Sequence, residues 1–252
     1  MTGISPDPYW WQAAPPQDFD VDHWPERADV VIIGGGYTGF GAAIPLARAG
    51  LDVVILERDQ IGSGASTRNG GITSGNLRLS FDDLTKRFGA KKAVAFYQEA
   101  KAARADLAQF ITSEKIDCDL QQCGRLVGAL RSESLDSMKR DAERLTKLLD
   151  IEAKVYNQNS LPDYIDTSRY CGGMMRDDIG GIHPAKLLAG MCQIAREASV
   201  EIATQTKMIA VSRQNTSSTT PEFRIETSRG IIHAGHVISA TNAYTDGGQP
   251  WL

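Results

Sequence analysis

The stretch Ala28 to Glu57, ADVVIIGGGYTGFGAAIPLARAGLDVVILE, restricts the fold more than any other part of the chain. An apolar run, Val30 to Ile33, ends in Gly34-Gly35-Gly36-Tyr37-Thr38-Gly39. A helix-like segment follows, and a second apolar run, Val53 to Leu56, is closed by Glu57. Strand, glycine turn, helix, strand and acid stand in the order that a dinucleotide site requires. Gly34 permits the tight turn, Gly36 lets the backbone approach a pyrophosphate, and Gly39 lets the helix pack close to the strand. The helix start then presents N–H groups and a positive dipole end to phosphates. Glu57 lies 18 residues beyond Gly39 and can accept hydrogen bonds from a ribose diol. A GxGxxG pattern alone is weak evidence; with both strands, the helix and the acid it becomes strong.

The next segment separates the two common dinucleotides. After Arg58-Asp59-Gln60-Ile61 comes Gly62-Ser63-Gly64-Ala65-Ser66-Thr67-Arg68-Asn69-Gly70-Gly71. A simple NAD domain continues directly into its next helix and strand. Here a loop of small residues intervenes, able to turn backbone N–H groups and the Ser66 and Thr67 hydroxyls toward an extended cofactor. The alternative is an ordinary surface loop, which glycine-rich composition by itself favours. Its position directly after the acid favours FAD.

With these residues in view, the chain resembles the D-amino-acid-oxidase-like family of FAD-dependent oxidoreductases, in the branch of the glycine, sarcosine and gamma-glutamylputrescine oxidases. The resemblance rests on GGGYTG, LERD and GASTRNGG, then on GIHPAKLL at 181–188, TKMIAV at 206–211 and HVISATNAYT at 236–245. It covers about residues 9 to 245. It implies FAD held by Gly34, Gly36, Tyr37, Thr38, Gly39, Glu57, Arg58, Ala65, Ser66, Arg68, Asn69, Gly70, Gly71 and Ile72, with Met208 near the adenine and Ala240 and Thr241 near the ADP half. It implies oxidation of a C–N bond of a small amine or amino acid, with oxygen or another acceptor taking the electrons. Some members attach flavin through a histidine in the loop equivalent to 65–72, and this loop contains none. The family's fold also has a second half, so the chain is expected to be the N-terminal portion of such an enzyme, unable by itself to sustain amine oxidation.

Composition agrees. The chain has 252 residues, 42% hydrophobic and 23% charged, which is a soluble globular balance. A net charge of −4 argues against nucleic acid or an anionic membrane as partner. No apolar run approaches the ~20 residues of a membrane span. No basic stretch followed by an apolar core opens the chain, so no signal peptide is expected. Cys118, Cys123, Cys171 and Cys192 lack CxxC spacing and read as reduced thiols, consistent with a cytoplasmic protein. No histidine pairs with a cysteine at metal-ligand spacing, so no metal is expected.

The expected organisation is α/β: a Rossmann-like FAD-binding domain with an inserted α+β substrate-domain piece. Residues 1–27 form an extended arm whose Tyr9-Trp10-Trp11 and Trp24-Pro25 anchor it by packing. Residues 28–115 and 180–252 form the flavin domain in two parts, and 116–179 the insert. Asp82 to Glu114 reads as one or two helices, with Phe81-Asp82-Asp83 offering a cap. Cys118 to Arg131 reads as paired strands, Glu133 to Leu149 as an amphipathic helix, and 150–180 as irregular. Pro184 to Ala198 reads as a helix with proline in its first turn. Ile202 to Val211, Phe223 to Thr227, Ile231-Ile232 and Val237-Ile238-Ser239 read as strands, and Asn215 to Pro221 as a hairpin tip.

No Ser-His-Asp or paired-carboxylate signature is present, and no catalytic side chain is assigned. Flavin chemistry needs position, a dry pocket and electrostatics more than a dedicated base. Arg68 fits either a contact to the flavin ring or substrate carboxylate, or a loop-bracing hydrogen bond. His183, before Pro184 at a helix start, fits a capping role better than acid–base chemistry. Tyr244 and Asp246 stay open. Two other functions remain: an NAD-binding dehydrogenase domain, and a non-catalytic nucleotide-binding fragment.

Overall fold

The computed structural model describes residues 5–214 and 222–245. Its strands in chain order are β1 (Arg27–Ile33), β2 (Val53–Leu56), β3 (Ile72–Ser74), β4 (Arg125–Ala129), β5 (Ala153–Asn157), β6 (Gly172–Arg176), β7 (Ile179–Gly181), β8 (Glu201–Ala203), β9 (Met208–Gln214), β10 (Glu222–Thr227) and β11 (Ile231–Ser239). Its α-helices are α1 (Tyr37–Arg48), α2 (Phe81–Phe88), α3 (Ala90–Ser113), α4 (Ser132–Leu149) and α5 (Pro184–Glu197). The chain divides into two compact units: residues 1–70, 116–118 and 183–252 form the first, and 71–115 with 119–182 the second.

The first unit is built on a six-stranded sheet in the order β8-β2-β1-β11-β10-β9. β8, β2, β1 and β11 are parallel, and β10 and β9 continue antiparallel. Val30 to Ile33 and Val53 to Leu56 are all buried. A parallel strand is covered on both faces, which is why these runs are continuously apolar instead of alternating. Each such side chain contributes about 1.5–3 kcal/mol by leaving water. The register Val30↔Val53 and Val31↔Val237 sets β1 between β2 and β11, so all three strands end on one edge. The segment Ile116–Cys118 joins this unit through the Cys118 carbonyl, which accepts the His183 N–H at 2.7 Å.

The second unit holds a three-stranded antiparallel sheet, β4-β6-β5, and the pair β3-β7. α4 buries Ala142, Leu145 and Leu149. It ends at Asp150 in left-handed backbone (φ 50°), where the Lys101 ammonium donates to the Asp150 carbonyl at 2.6 Å. Arg176 is buried, with its guanidinium on the Asp178 carboxylate at 2.9 and 2.6 Å and on the Asn76 amide oxygen.

Several expectations need correction. The first compact unit breaks at Gly70, and α2 and α3, expected with the flavin domain over 28–115, lie in the second unit. α2 is capped by Ser80, whose hydroxyl accepts the Asp83 N–H at 3.1 Å, and not from within 81–83. Residues 118–131 hold one strand, not two: Gly124 takes a positive φ of 75°, and the partner of β4 is the distant β6. Residues 150–180 are not irregular, since β5, β6 and β7 lie there. The sequence of β6, GGMMR, hides its nature; its glycines are small because a Cβ on Gly172 would sit 2.6 Å from the Tyr156 carbonyl oxygen. Ile202 to Val211 is two strands on opposite edges of the sheet, separated by a bend with Gln205 at φ 52°. Ile231 to Ser239 is one strand, not two. The expected hairpin tip at 215–221 lies outside the described residues. Among the described residues no helix is long and apolar enough to cross a membrane, and no His, Cys, Asp and Glu cluster could hold a metal. The four cysteines form no disulfide.

Candidate functional site

The site of the first unit lies where β1, β2 and β11 end. Gly34 follows β1, donates its N–H to the Leu56 carbonyl at 2.8 Å, and holds a φ of 110° that only glycine adopts without strain. Ala240, just past β11, donates to the Ile33 carbonyl at 2.8 Å. The carboxyl ends of parallel strands are where open α/β sheets bind ligands. α1 starts directly behind this turn. A Cβ on Gly39 would overlap the Gly34 carbonyl oxygen, so the helix axis approaches the strand end as closely as glycine permits.

Gly36 caps α1 without a side chain, and the Tyr37 N–H at the helix start is accepted by the Ser66 hydroxyl at 3.2 Å. Glu57 stands at the lip of the turn. Its Oε2 accepts the Gly35 N–H at 2.9 Å and its Oε1 the Asp59 N–H at 3.1 Å. These bonds aim the carboxylate while leaving it lone pairs for further donors. The bend after β8 crosses the strand ends, with Gln205 donating to the Asp59 carbonyl and Thr206 to the Glu57 carbonyl at 2.8 Å. That crossing brings Met208, 7% exposed, into the wall.

Together these segments line a solvent-open cleft. It is lined by Gly34, Gly36, Glu57, Arg58, Ala65, Ser66, Met208, Ala240 and Thr241 from the expected set. Gly35, Asp59, Gly62, Ser63, Gly64, Leu188, Thr206, Lys207, Asn242 and Tyr244 also line it. Leu188 comes from α5 and closes the GIHPAKLL motif, though it was not among the expected site residues. Thr206 and Lys207 are the first two residues of the TKMIAV motif that pointed to Met208. Tyr244 takes a definite place: the Arg58 guanidinium lies 5.2 Å from its ring centroid, a cation–π contact across the mouth. Asp246 lies outside the described residues.

The remaining expected residues are not on the cleft wall. Tyr37 turns its hydroxyl to the Pro184 carbonyl at 2.8 Å, and burial raises its phenol pKa, so it stays a protonated donor. Thr38 is exposed, and Gly39 is buried beneath the turn. Arg68 is exposed and braces the loop, donating from Nε to the Ser63 carbonyl at 2.8 Å. The Asn69 amide donates to the Ala65 and Ser66 carbonyls at 3.2 and 2.9 Å. Gly70 ends the first unit; Gly71 and Ile72 belong to the second. His183 is the cap of α5: its Nδ1 accepts the Lys186 N–H at 3.1 Å.

The arrangement suits an extended dinucleotide. The side-chain-free start of α1 leaves room and N–H donors for phosphates, and a Cβ on Gly36 would intrude to 2.8 Å from the Ser66 hydroxyl. The Glu57 carboxylate matches a ribose diol, and Met208 with Tyr244 offers apolar surface to an aromatic base.

Sheet order, glycine turn and cleft define a dinucleotide-binding α/β protein. The chain belongs to the FAD dependent oxidoreductase (DAO) family, whose model matches residues 29–250, and FAD is its cofactor. It is 29% identical over 226 residues to gamma-glutamylputrescine oxidoreductase of Escherichia coli, covering 90% of this chain and 51% of that protein. It is also 29% identical over 250 residues to a probable oxidoreductase, OrdL, of Rhizobium meliloti, covering 98% of this chain and 57% of that one. Among solved structures, glycine oxidase from Geobacillus kaustophilus superposes with a TM-score of 0.73 at 21% identity, over 89% of this chain and 58% of that one. The chain thus spans about half the length of the curated relatives it matches.

Proposed function

We propose that this chain supplies the FAD-holding part of an oxidoreductase that oxidises a C–N bond of a small amine or amino acid, with oxygen or another acceptor receiving the electrons. The observation that carries the reading is the cleft at the ends of β1, β2 and β11, where the open start of α1, Glu57 and Met208 converge. The backbone N–H groups after Gly34 and the positive end of α1 hold the pyrophosphate. Glu57 accepts the adenosine ribose hydroxyls, and Met208, Tyr244 and Arg58 border the adenine. Bound FAD supplies a two-electron acceptor for the hydride of the substrate C–H beside nitrogen. A neutral amine releases hydride without a dedicated base. The nitrogen-bearing substrate class is supported by the relatives named above, one an oxidoreductase of gamma-glutamylputrescine and one a glycine oxidase.

The test is direct. The purified protein is heat-denatured and the released flavin measured by absorbance, then this chain and an enzyme of the relatives' full length that carries it, both loaded with FAD, are mixed anaerobically with polyamines, N-methyl amino acids, D-amino acids, hydroxy acids and polyols. The reading expects FAD in the supernatant, bleaching of the flavin band by a nitrogen-bearing compound in the full-length enzyme, and no rapid bleaching in this chain alone. Absence of FAD rejects the binding role. Bleaching only by hydroxy acids or polyols rejects the C–N assignment.

A further inference from the structure

The loop that lines one side of the cleft, 62–66, has an outer face as well as an inner one. Gly64, Ala65 and Arg68 to Gly70 are exposed, and a single turn of 3-10 helix, Ala65–Thr67, is the loop's only regular structure. Its outer face is fastened by the N-terminal arm. The arm forms its own 3-10 turn, Tyr9–Gln12. The Trp10 indole N–H donates to the Asn69 carbonyl at 2.8 Å, and the Trp11 indole N–H to the Thr67 hydroxyl at 2.8 Å. The Arg68 guanidinium lies 4.5 Å from the Trp11 ring centroid. Further along, Gln17 and Ile61 exchange both backbone hydrogen bonds at 2.9 Å, a one-residue antiparallel bridge at the foot of the loop. The Trp10 ring also meets the His183 ring edge-on at 4.8 Å, tying the same turn to the start of α5.

Thr67 is the relay. It is 2% exposed, and its hydroxyl accepts from Trp11 while it donates to the Gly62 carbonyl. The next residue back, Ser66, places its hydroxyl on the Tyr37 N–H at the start of α1. The inner shape of the loop therefore depends on contacts made to its outer side.

We propose that the arm is a strap that holds this loop in its flavin-accepting shape, with Trp10 and Trp11 as positioning residues that touch the loop and not the cofactor. The inference rests on the FAD reading above. Linkage supplies its signature: if a docked arm favours FAD binding, bound FAD must favour the docked arm by the same factor. An arm that merely adds packing energy gains protection only as the whole fold does, in step with the amides of β1, so the strap's signature is slowing beyond theirs.

Two measurements test the strap. In the unmodified chain, hydrogen exchange of the Gln17 and Ile61 amides is compared with and without saturating FAD, and slowing of about tenfold beyond that of the β1 amides is expected, the scale of a modest coupling. In the double variant Trp10→Phe with Trp11→Phe, which keeps two aromatic rings and removes both indole N–H donors, the FAD dissociation constant is expected to rise about tenfold, as loss of two ordinary hydrogen bonds implies. If the double variant fails to fold, the exchange comparison decides alone. Exchange at Gln17 and Ile61 that bound FAD slows no more than it slows the β1 amides overturns the strap while leaving the FAD reading intact. A chain that binds no FAD overturns both.

Discussion

Gly36 and Glu57 face the same space from opposite sides, and each answers a different demand of a dinucleotide. At Gly36 the backbone is extended (φ −94°), so any residue could adopt it; the restriction is room, since a Cβ would stand 2.8 Å from the Ser66 hydroxyl. Gly36→Val therefore should leave the sheet intact and remove FAD retention. Circular dichroism and flavin content on the same sample check both halves of that expectation. Glu57 contributes charge. A carboxylate accepting ribose hydroxyls is a charge-assisted bond worth about 1.5–3 kcal/mol, so Glu57→Ala should weaken FAD binding by about 10- to 150-fold. Titration of apo-protein with FAD, followed by flavin fluorescence, measures it; an unchanged constant removes Glu57 from the site. The structure adds that Glu57 also receives the Gly35 and Asp59 N–H groups, so Glu57→Gln, which keeps one acceptor, should lose less than Glu57→Ala.

Among the elements, α5 is the one most dependent on single groups. Its N-cap is an imidazole nitrogen, and His183→Ala should cost about 1 kcal/mol, with His183→Asn recovering much of it because an amide oxygen also caps. Urea unfolding midpoints give the comparison. Its inner face carries Cys192, 1% exposed, whose thiol is pushed by burial up to about 11 from 9.0. The folded state thus holds its proton where the unfolded state releases it. The stability this contributes is complete below pH 9 and is lost as pH rises toward 11, by at most about 2–3 kcal/mol. Cys192→Ala should flatten the fall in denaturation midpoint between pH 8.5 and pH 10.5, relative to the parent, within that window. A parallel fall in both proteins would assign the loss to other groups. Elements also show how far the sequence could be read. β1, α1 and β2 were legible because buried parallel strands are continuously apolar and the glycine turn between them has fixed spacing. α4 was legible from its wet and dry faces. β6 was not, because Gly172 and Gly173 carry no side chain to alternate, and the antiparallel edge pairings of β3 and β7 are three residues long. Leu188 and Asn242 lie in motifs that the sequence showed, but their side chains reach the cleft through tertiary placement, which residue spacing does not record.

At the scale of the whole molecule, FAD should act on the first unit, because every residue lining the cleft belongs to it. Ligand at about 100 times its dissociation constant adds about 2.7 kcal/mol to the state that binds it, which for a protein of this size raises the melting temperature by roughly 5–10 °C. Differential scanning calorimetry with and without FAD tests this, and Gly36→Val should show no such rise. A shift in that variant equal to the parent's would mean that FAD binds elsewhere.

The hydrogen bond from the Ile182 N–H to the Gly71 carbonyl, at 2.8 Å, and the β3–β7 pairing beside it hold the two ends of the second unit's chain together. The second unit's chain begins at Gly71 and ends at Ile182 at nearly the same point, interrupted by Ile116–Cys118, which belong to the first unit. Closing a long loop costs only about 0.6 kcal/mol more for each doubling of its length. A change of chain length within 72–115 or 119–181 should therefore leave the register of the nucleotide sheet undisturbed, so that the second unit can be lengthened or shortened while the cofactor sheet keeps its pairing.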